Sequence, residues 1–300
     1  MARIAWNGIS LSLPRGWEIA ALEKNGFLLH ADQRPTCEVK WEQISGAFSF
    51  DKHLRKLERE FRETRLQPVD KGETPQVWAD AVTRLEWSGL RLQSFSWNTE
   101  SERGLGAIIH NPDTGLAALI QFFLHKETDT SPAARVLFSF RDHLAGKTRP
   151  WTAFGLNARL AGDWRLHEFS FHPGHFSLLF HRSPDNRETP GKKRGTFLLL
   201  QRHAPASVLL ENSTLEHWVR TVHAELLPKR QNLETERETI SWAGETLASP
   251  IRRLLGRDEF SRGRVWLPPE TSAILSVAAY GRVKISKREF SEICDRYAVA

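Results

Sequence analysis

The stretch His167–Glu–Phe–Ser–Phe–His172–Pro–Gly–His175–Phe–Ser–Leu–Leu–Phe–His181 places four imidazoles within fifteen residues. His172 and His175 flank a Pro–Gly pair, so a two-residue turn brings their rings together. Two such nitrogens can share a zinc ion when a third ligand arrives. No acidic or cysteine ligand is spaced to complete the set, and the chain carries 12 histidines in all. A solvated hairpin tip therefore accounts for the motif. His172 and His175 are the candidate pair, and no metal or other cofactor is expected.

Other chemical signatures are missing. The sequence has no G-x-S-x-G elbow and no H-E-x-x-H. "TPGKKRGT" (189–196) resembles a phosphate loop, but position 186 is Asn where the loop needs Gly, and Lys193 stands where it needs Ser or Thr. Glu58, Glu60 and Glu63 fall among lysines and arginines on a charged helix face. With no acid, base and nucleophile assembled, the chain reads as a non-enzyme. An unrecognised site between two domains is the remaining catalytic alternative.

The main basic concentration is Lys192, Lys193 and Arg194, followed by Arg252, Arg253, Arg257, Arg262 and Arg264. Such a set can contact phosphates, with aromatic rings available for base stacking. Residues 1–150 carry 20 basic and 19 acidic side chains, and residues 151–300 carry 22 and 17. The excess sits in the second half. It falls short of the dense stripe of a dedicated nucleic-acid binder, so nucleic acid is a possible partner and protein the leading one.

At 300 residues with 40% hydrophobic and 26% charged content, the composition is that of a soluble globular protein of one or two domains. The first eighteen residues contain no apolar run suited to a secretory signal, and no stretch is long enough to span a membrane. Cys37 and Cys294 are isolated, which fits a reducing cytoplasm.

The elements that would position these residues follow from periodicity. "ISLSLP" (9–14), "GFLLHAD" (26–32) and "CEVKWEQI" (37–44) read as strands. Residues 50–63 switch to helical spacing, with Leu54, Leu57 and Phe61 on one stripe. Residues 81–98 read as a hairpin turning at Gly89, and 104–125 as a second hairpin turning at "NPDTG". Residues 131–143 open with Ser–Pro, suited to a helix start. The second half repeats this order. Strands fall at 154–169, 175–182 and 196–203, and a helix at 213–227 capped by Ser213 or Thr214. Then come strands at 238–249 and 263–280, and a helix at 286–299 with Ser286 and Glu289 in capping-box spacing.

"LPRGWEI" (13–19) is answered by "LAGDWRL" (160–166), and "WSG" (87–89) by "WAG" (242–244). The reading is α+β, with two tandem repeats at 1–147 and 148–300. Each is an antiparallel sheet of about six to seven strands flanked by two helices, and the second carries a basic insertion at 183–195. Trp17, Trp41, Trp87, Trp164 and Trp242 are assigned to the core. Trp6, Trp78, Trp97, Trp151, Trp218 and Trp266 are the source of any exposed aromatic patch.

This element order, with "LPRGW" (13–17), "WSG" (87–89), "NPDTG" (111–115) and "RVLFSF" (135–140), resembles the PsbP-like fold, here twice in tandem. The second copy departs from it: "LAGDW" lacks the proline and "REFSEI" stands for "RVLFSF". The resemblance implies a non-enzymatic accessory subunit, adaptor or chaperone of a protein complex, because members of that fold mostly bind other proteins. Nucleic-acid binding through the basic second copy is the alternative.

Overall fold

The computed structural model describes residues 2–60, 65–100, 102–124, 129–184, 195–228, 232–245, 259–269 and 271–299. The chain divides into two compact units, Met1–Phe154 and Gly155–Ala300. Both are built mainly of antiparallel sheet with helices added, an α+β construction. Among the described residues no helix is long and apolar enough to cross a membrane.

Unit 1 runs β1 (Ala2–Trp6), β2 (Ile9–Leu13), β3 (Trp17–Glu23), β4 (Gly26–Ala31), β5 (Arg34–Gln43), α1 (Phe50–Glu60) and β6 (Arg65–Pro68). It continues through α2 (Gln76–Trp87), β7 (Arg91–Asn98), β8 (Arg103–Asn111), β9 (Leu116–Leu124), α3 (Ser131–Phe138), β10 (Arg141–Asp142) and β11 (Thr148–Ala153). Its large sheet has the order β3-β4-β5-β9-β8-β7-β6, and β10, β2, β1 and β11 form a smaller one. The expected boundary at 147/148 falls just before β11. That strand pairs with β1 through Ala5 and Thr152, and Trp151 meets Trp6 edge-on at 5.4 Å.

Unit 2 contains β12 (Leu156–Ala161), β13 (Arg165–His172), β14 (His175–Arg182), β15 (Thr196–His203), a single turn α4 (Ala206–Leu209) and α5 (Leu215–Val222). Then follow β16 (Glu234–Glu236), β17 (Thr239–Glu245), β18 (Phe260–Trp266), β19 (Ile274–Gly281), α6 (Lys287–Asp295) and β20 (Ala298–Val299). Its large sheet has the order β13-β14-β15-β19-β18-β17-β16, and β12 pairs with β20. Taken in chain order, the two seven-stranded sheets have the same connectivity.

Local chemistry explains the elements. The Thr214 hydroxyl accepts from His217 N at 3.2 Å and the Ser286 hydroxyl from Glu289 N at 3.1 Å, which caps α5 and α6. The β8–β9 turn is pinned from outside itself. Asn111 Nδ2 and Thr114 Oγ1 both donate to Asp142 Oδ2, at 2.8 and 2.5 Å. The corner before Trp164 differs from the one before Trp17, as its sequence does. Arg182 pairs with Asp163 and Glu289 and lies 4.4 Å above the Trp164 ring, which is buried; Trp17 is half-buried.

Residues 81–98 are a helix followed by a strand rather than a hairpin. Trp78, Ala81, Val82 and Leu85 recur at i, i+3, i+4 and i+7, and all are buried. Gly89, at φ +91°, ends this helix. Its N–H donates to Glu86 O at 2.9 Å and that of Leu90 to Leu85 O at 3.3 Å, the two bonds of a Schellman stop. Trp242 lies on a strand, so the match of "WSG" to "WAG" fails. Its counterpart is Trp97. Trp97 pairs across the ladder with Gly104, and Trp242 with Gly263. A Cβ on either glycine would collide with the opposing indole.

The tryptophan assignments change accordingly. Trp6, Trp78, Trp97, Trp151 and Trp218 are buried, as are Trp41, Trp164 and Trp242, while Trp87 is 82% exposed. The helical period carries Trp87 about 200° past Leu85, off the buried stripe.

Replacing Gly263 by Val should lower the unfolding free energy of unit 2 by about 1–3 kcal/mol through overpacking. Urea denaturation would read this, and adding Trp242→Leu to the same chain should recover part of the loss.

Candidate functional site

The histidine motif folds as expected up to its tip. His172 pairs with His175 across the Pro173–Gly174 turn of the β13–β14 hairpin. The His175 ring then stacks on His203 of β15, with centroids 4.3 Å apart and planes within 16°. His203 meets Trp218 edge-on at 4.8 Å, Trp218 lies 5.9 Å from His223, and His223 lies 5.5 Å from Trp242. The sequence motif thus opens into a chain of rings that ends in the core beneath α5. Among the described residues no group of three or more His, Cys, Asp or Glu is placed to hold a metal ion.

These imidazoles are held neutral. Burial lowers His203 to about 3, with the charges of His175 and His223 adding to it, and lowers His223 to about 4. His175 is also lowered, by burial and then by His172. Nε2 of His203 and of His223 is buried without a hydrogen-bond partner among the described residues. Neutral, ring-packed imidazoles of this kind supply packing and a sensitivity to acid.

Of the basic candidates, two can be placed. Arg262 Nη1 donates to Ile285 O at 3.4 Å, and Arg264 Nη1 lies 3.6 Å from Asp295 Oδ1. Both sit on one face of β18 and both are engaged with the α6 side of unit 2. Lys192, Lys193, Arg194, Arg252, Arg253 and Arg257 lie outside the described residues.

The exposed aromatic surface lies in unit 1, on α2 and α3, which pack against each other. Val77, Asp80, Arg84 and Trp87 follow at i, i+3, i+7 and i+10 and so share one stripe of α2. Val77 is 44% and Trp87 82% exposed. Arg84 places its guanidinium carbon 5.3 Å from the centroid of Phe138 on α3, and Arg141 approaches the same ring at 5.6 Å. Arg135 is exposed one turn before Phe138. Arg141 is oriented by donating to the carbonyls of Phe138 and Phe140. Glu86 nearby is matched by Lys71, which leaves Arg84 and Arg141 over one half-covered ring, with the exposed Asp80 one turn before Arg84. Sequence reasoning placed Trp87 in the core because it took Gly89 for a hairpin turn. The signal for its exposure was the stripe of Trp78, Ala81, Val82 and Leu85.

No protein-family model and no curated protein matches the chain. A solved structure from Bacteroides thetaiotaomicron VPI-5482 is similar to it over 49% of this chain, with a TM-score of 0.29 and 14% identity. The match spans half of that structure's chain, 50% of its length.

The ring chain predicts an acid sensitivity of defined sign. In the unfolded chain the imidazoles titrate near 6.5, and in the folded chain well below it, so folding favours the neutral form. Stability is full above pH 6.5 and falls as the pH drops toward 4. Between pH 7 and pH 5 each of His203 and His223 should remove about 2 kcal/mol. Urea unfolding of unit 2 at the two pH values checks this, and His223→Leu should make the pH dependence shallower.

Proposed function

We propose that the protein is a non-catalytic adaptor that docks a protein partner on the α2–α3 face of unit 1. The observation that carries this reading is Trp87, 82% exposed on one stripe with Arg84, beside the Arg-covered Phe138. Tryptophan and arginine are the residue types over-represented among binding hot spots. Arg84, Arg135 and Arg141 outweigh Asp80 on this face, so the surrounding charge is net positive and the complementary partner presents an apolar side chain flanked by carboxylates.

We further infer that the chain is a tandem duplication of a PsbP-like domain, the accessory-protein fold that its sequence resembles. The shared strand order of the two large sheets supports this. So does the recurrence of a tryptophan lying over a glycine on the neighbouring strand, Trp97 on Gly104 and Trp242 on Gly263. A cytoplasmic setting belongs to the same reading and is supported by the two free, buried cysteines, Cys37 and Cys294.

A photo-crosslinking residue at position 87, used in cells, should capture one partner through an acidic segment. Against that purified partner, Trp87→Ala should weaken binding by about 30-fold or more, the scale of a hot spot. Arg84→Glu with Arg141→Glu should do the same, and reversing the partner's acidic residues should restore binding. Unchanged affinity in both variants would remove the α2–α3 face from the interaction.

A further inference from the structure

We propose that unit 1 binds a guanidinium group on the open face of Trp17, in the place that Arg182 takes in unit 2. This goes beyond the adaptor reading and uses the opposite end of α3. The ladders show that the two places correspond. A bulge interrupts each edge strand at the same step after its tryptophan, between Ile19 and Ala21 on β3 and between Leu166 and Glu168 on β13. Before the bulge, Ile19 pairs with Leu29 and Leu166 with Phe180. Two residues further along the partner strands stand Ala31, which pairs with Trp17, and Arg182.

In unit 2 this place is filled from within. The guanidinium carbon of Arg182 lies 4.4 Å from the centroid of the Trp164 ring, which is buried. Its nitrogens pair with Glu289, the third residue of α6, and with Asp163 at 3.6 Å. Unit 1 has alanine at both key positions: Ala31 for Arg182 and Ala133, the third residue of α3, for Glu289. Both alanines and Trp17 line a cavity of about 490 Å³, within the range of small-molecule sites. Trp17 rests against Phe122, with centroids 6.4 Å apart, and is half-buried. The ion pair that closes over one tryptophan is missing over the other, and the space it would take is open.

The lining suits the same group. An indole face is the best aromatic partner for a cation, and the planar, weakly hydrated guanidinium stacks on it. Asp32 and Asp129 supply carboxylates here, as Asp163 and Glu289 do in unit 2. Hydrogen bonds from Ser131 hold Asp129 below the usual carboxylate range, and the charge of Arg135 adds to this. Arg34 also lines the cavity. Two carboxylates thus face two arginines, so net charge does not choose the ligand. The open ring face with carboxylates beside it does.

Titration of the full-length chain with N-acetyl-arginine amide, followed through the indole N–H signal of Trp17 by NMR, tests this; Trp17→Phe identifies the signal. The signal should shift to saturation, with a dissociation constant in the millimolar range. The citrulline analogue keeps the shape and loses the charge, and should bind about fivefold more weakly. Free arginine binding more tightly than the blocked residue assigns the site to the amino acid, and the reverse to an arginine of a polypeptide. Ala31→Arg with Ala133→Glu gives unit 1 the pair that unit 2 has, and should abolish binding. Asp32→Asn should weaken binding severalfold and Arg34→Ala should strengthen it. A Trp17 signal unmoved by the arginine compound, equal affinity for the citrulline analogue, or full affinity in the double variant would overturn the proposal. Urea midpoints show whether the double variant is folded; where it is not, unchanged affinity in both Asp32→Asn and Arg34→Ala overturns it instead.

Discussion

A tryptophan lying on a glycine governs the layer above each large sheet. Trp97 covers Gly104 and Trp242 covers Gly263, and neither glycine can accept a Cβ without moving the indole. A flat ring on the sheet sets how closely the next helix can approach. In unit 2 that layer is completed by Trp218 and His223. In unit 1, among the described residues, the helix brings Phe50, Leu54 and Leu57 to it, and space remains beside Leu57. One device carries two outcomes because the filling residues, rather than the device, differ. Close packing of interiors makes such a gap a property of the sequence and not of the fold.

The opposite face of unit 1 is organised by a different indole. Trp78 buries fully and its Nε1 donates to Ser94 Oγ at 3.0 Å, so its polar atom is satisfied inside the core. This anchors α2 on the sheet. The helix then stops at Ser88–Gly89, and the last helical residue, Trp87, is left pointing outward. An exposed tryptophan at a helix end gains nothing from burial. Arg84, on the same stripe of α2, reaches over Phe138 of α3, and Arg141 approaches that ring as well. The adaptor reading rests on that combination.

Much of this was legible in the sequence. Strands β14 and β15 were read with their full bounds, because apolar residues alternate between clear breaks. The caps at Thr214 and Ser286 were visible because capping needs a particular residue at a particular step. The segment 81–98 was misread for a physical reason. Leu85 and Trp87 are two residues apart, as in a strand, and glycine serves both as a hairpin turn and as a helix stop. The three-dimensional half of the histidine motif could not be read at all. His203 lies 28 residues from His175 in the chain, and only the β14–β15 register brings them together.

That register also explains why the two units differ in chemistry at the first rung of β4 and of β14. A rung holding glycine and lysine, Gly26 and Lys40, leaves room and a charge; a rung holding two histidines, His175 and His203, fills the room and stays neutral. The imidazoles are buried far enough that protonating them opposes folding, so their value in unit 2 is as aromatic filler. Lys40, paired with Glu38 at 2.7 Å, keeps its ammonium near the surface and leaves the interior beneath α1 apolar. Two sheets of the same strand order thus differ, one packed with rings and one lined with open space, at a single cross-strand pair and the helix above it.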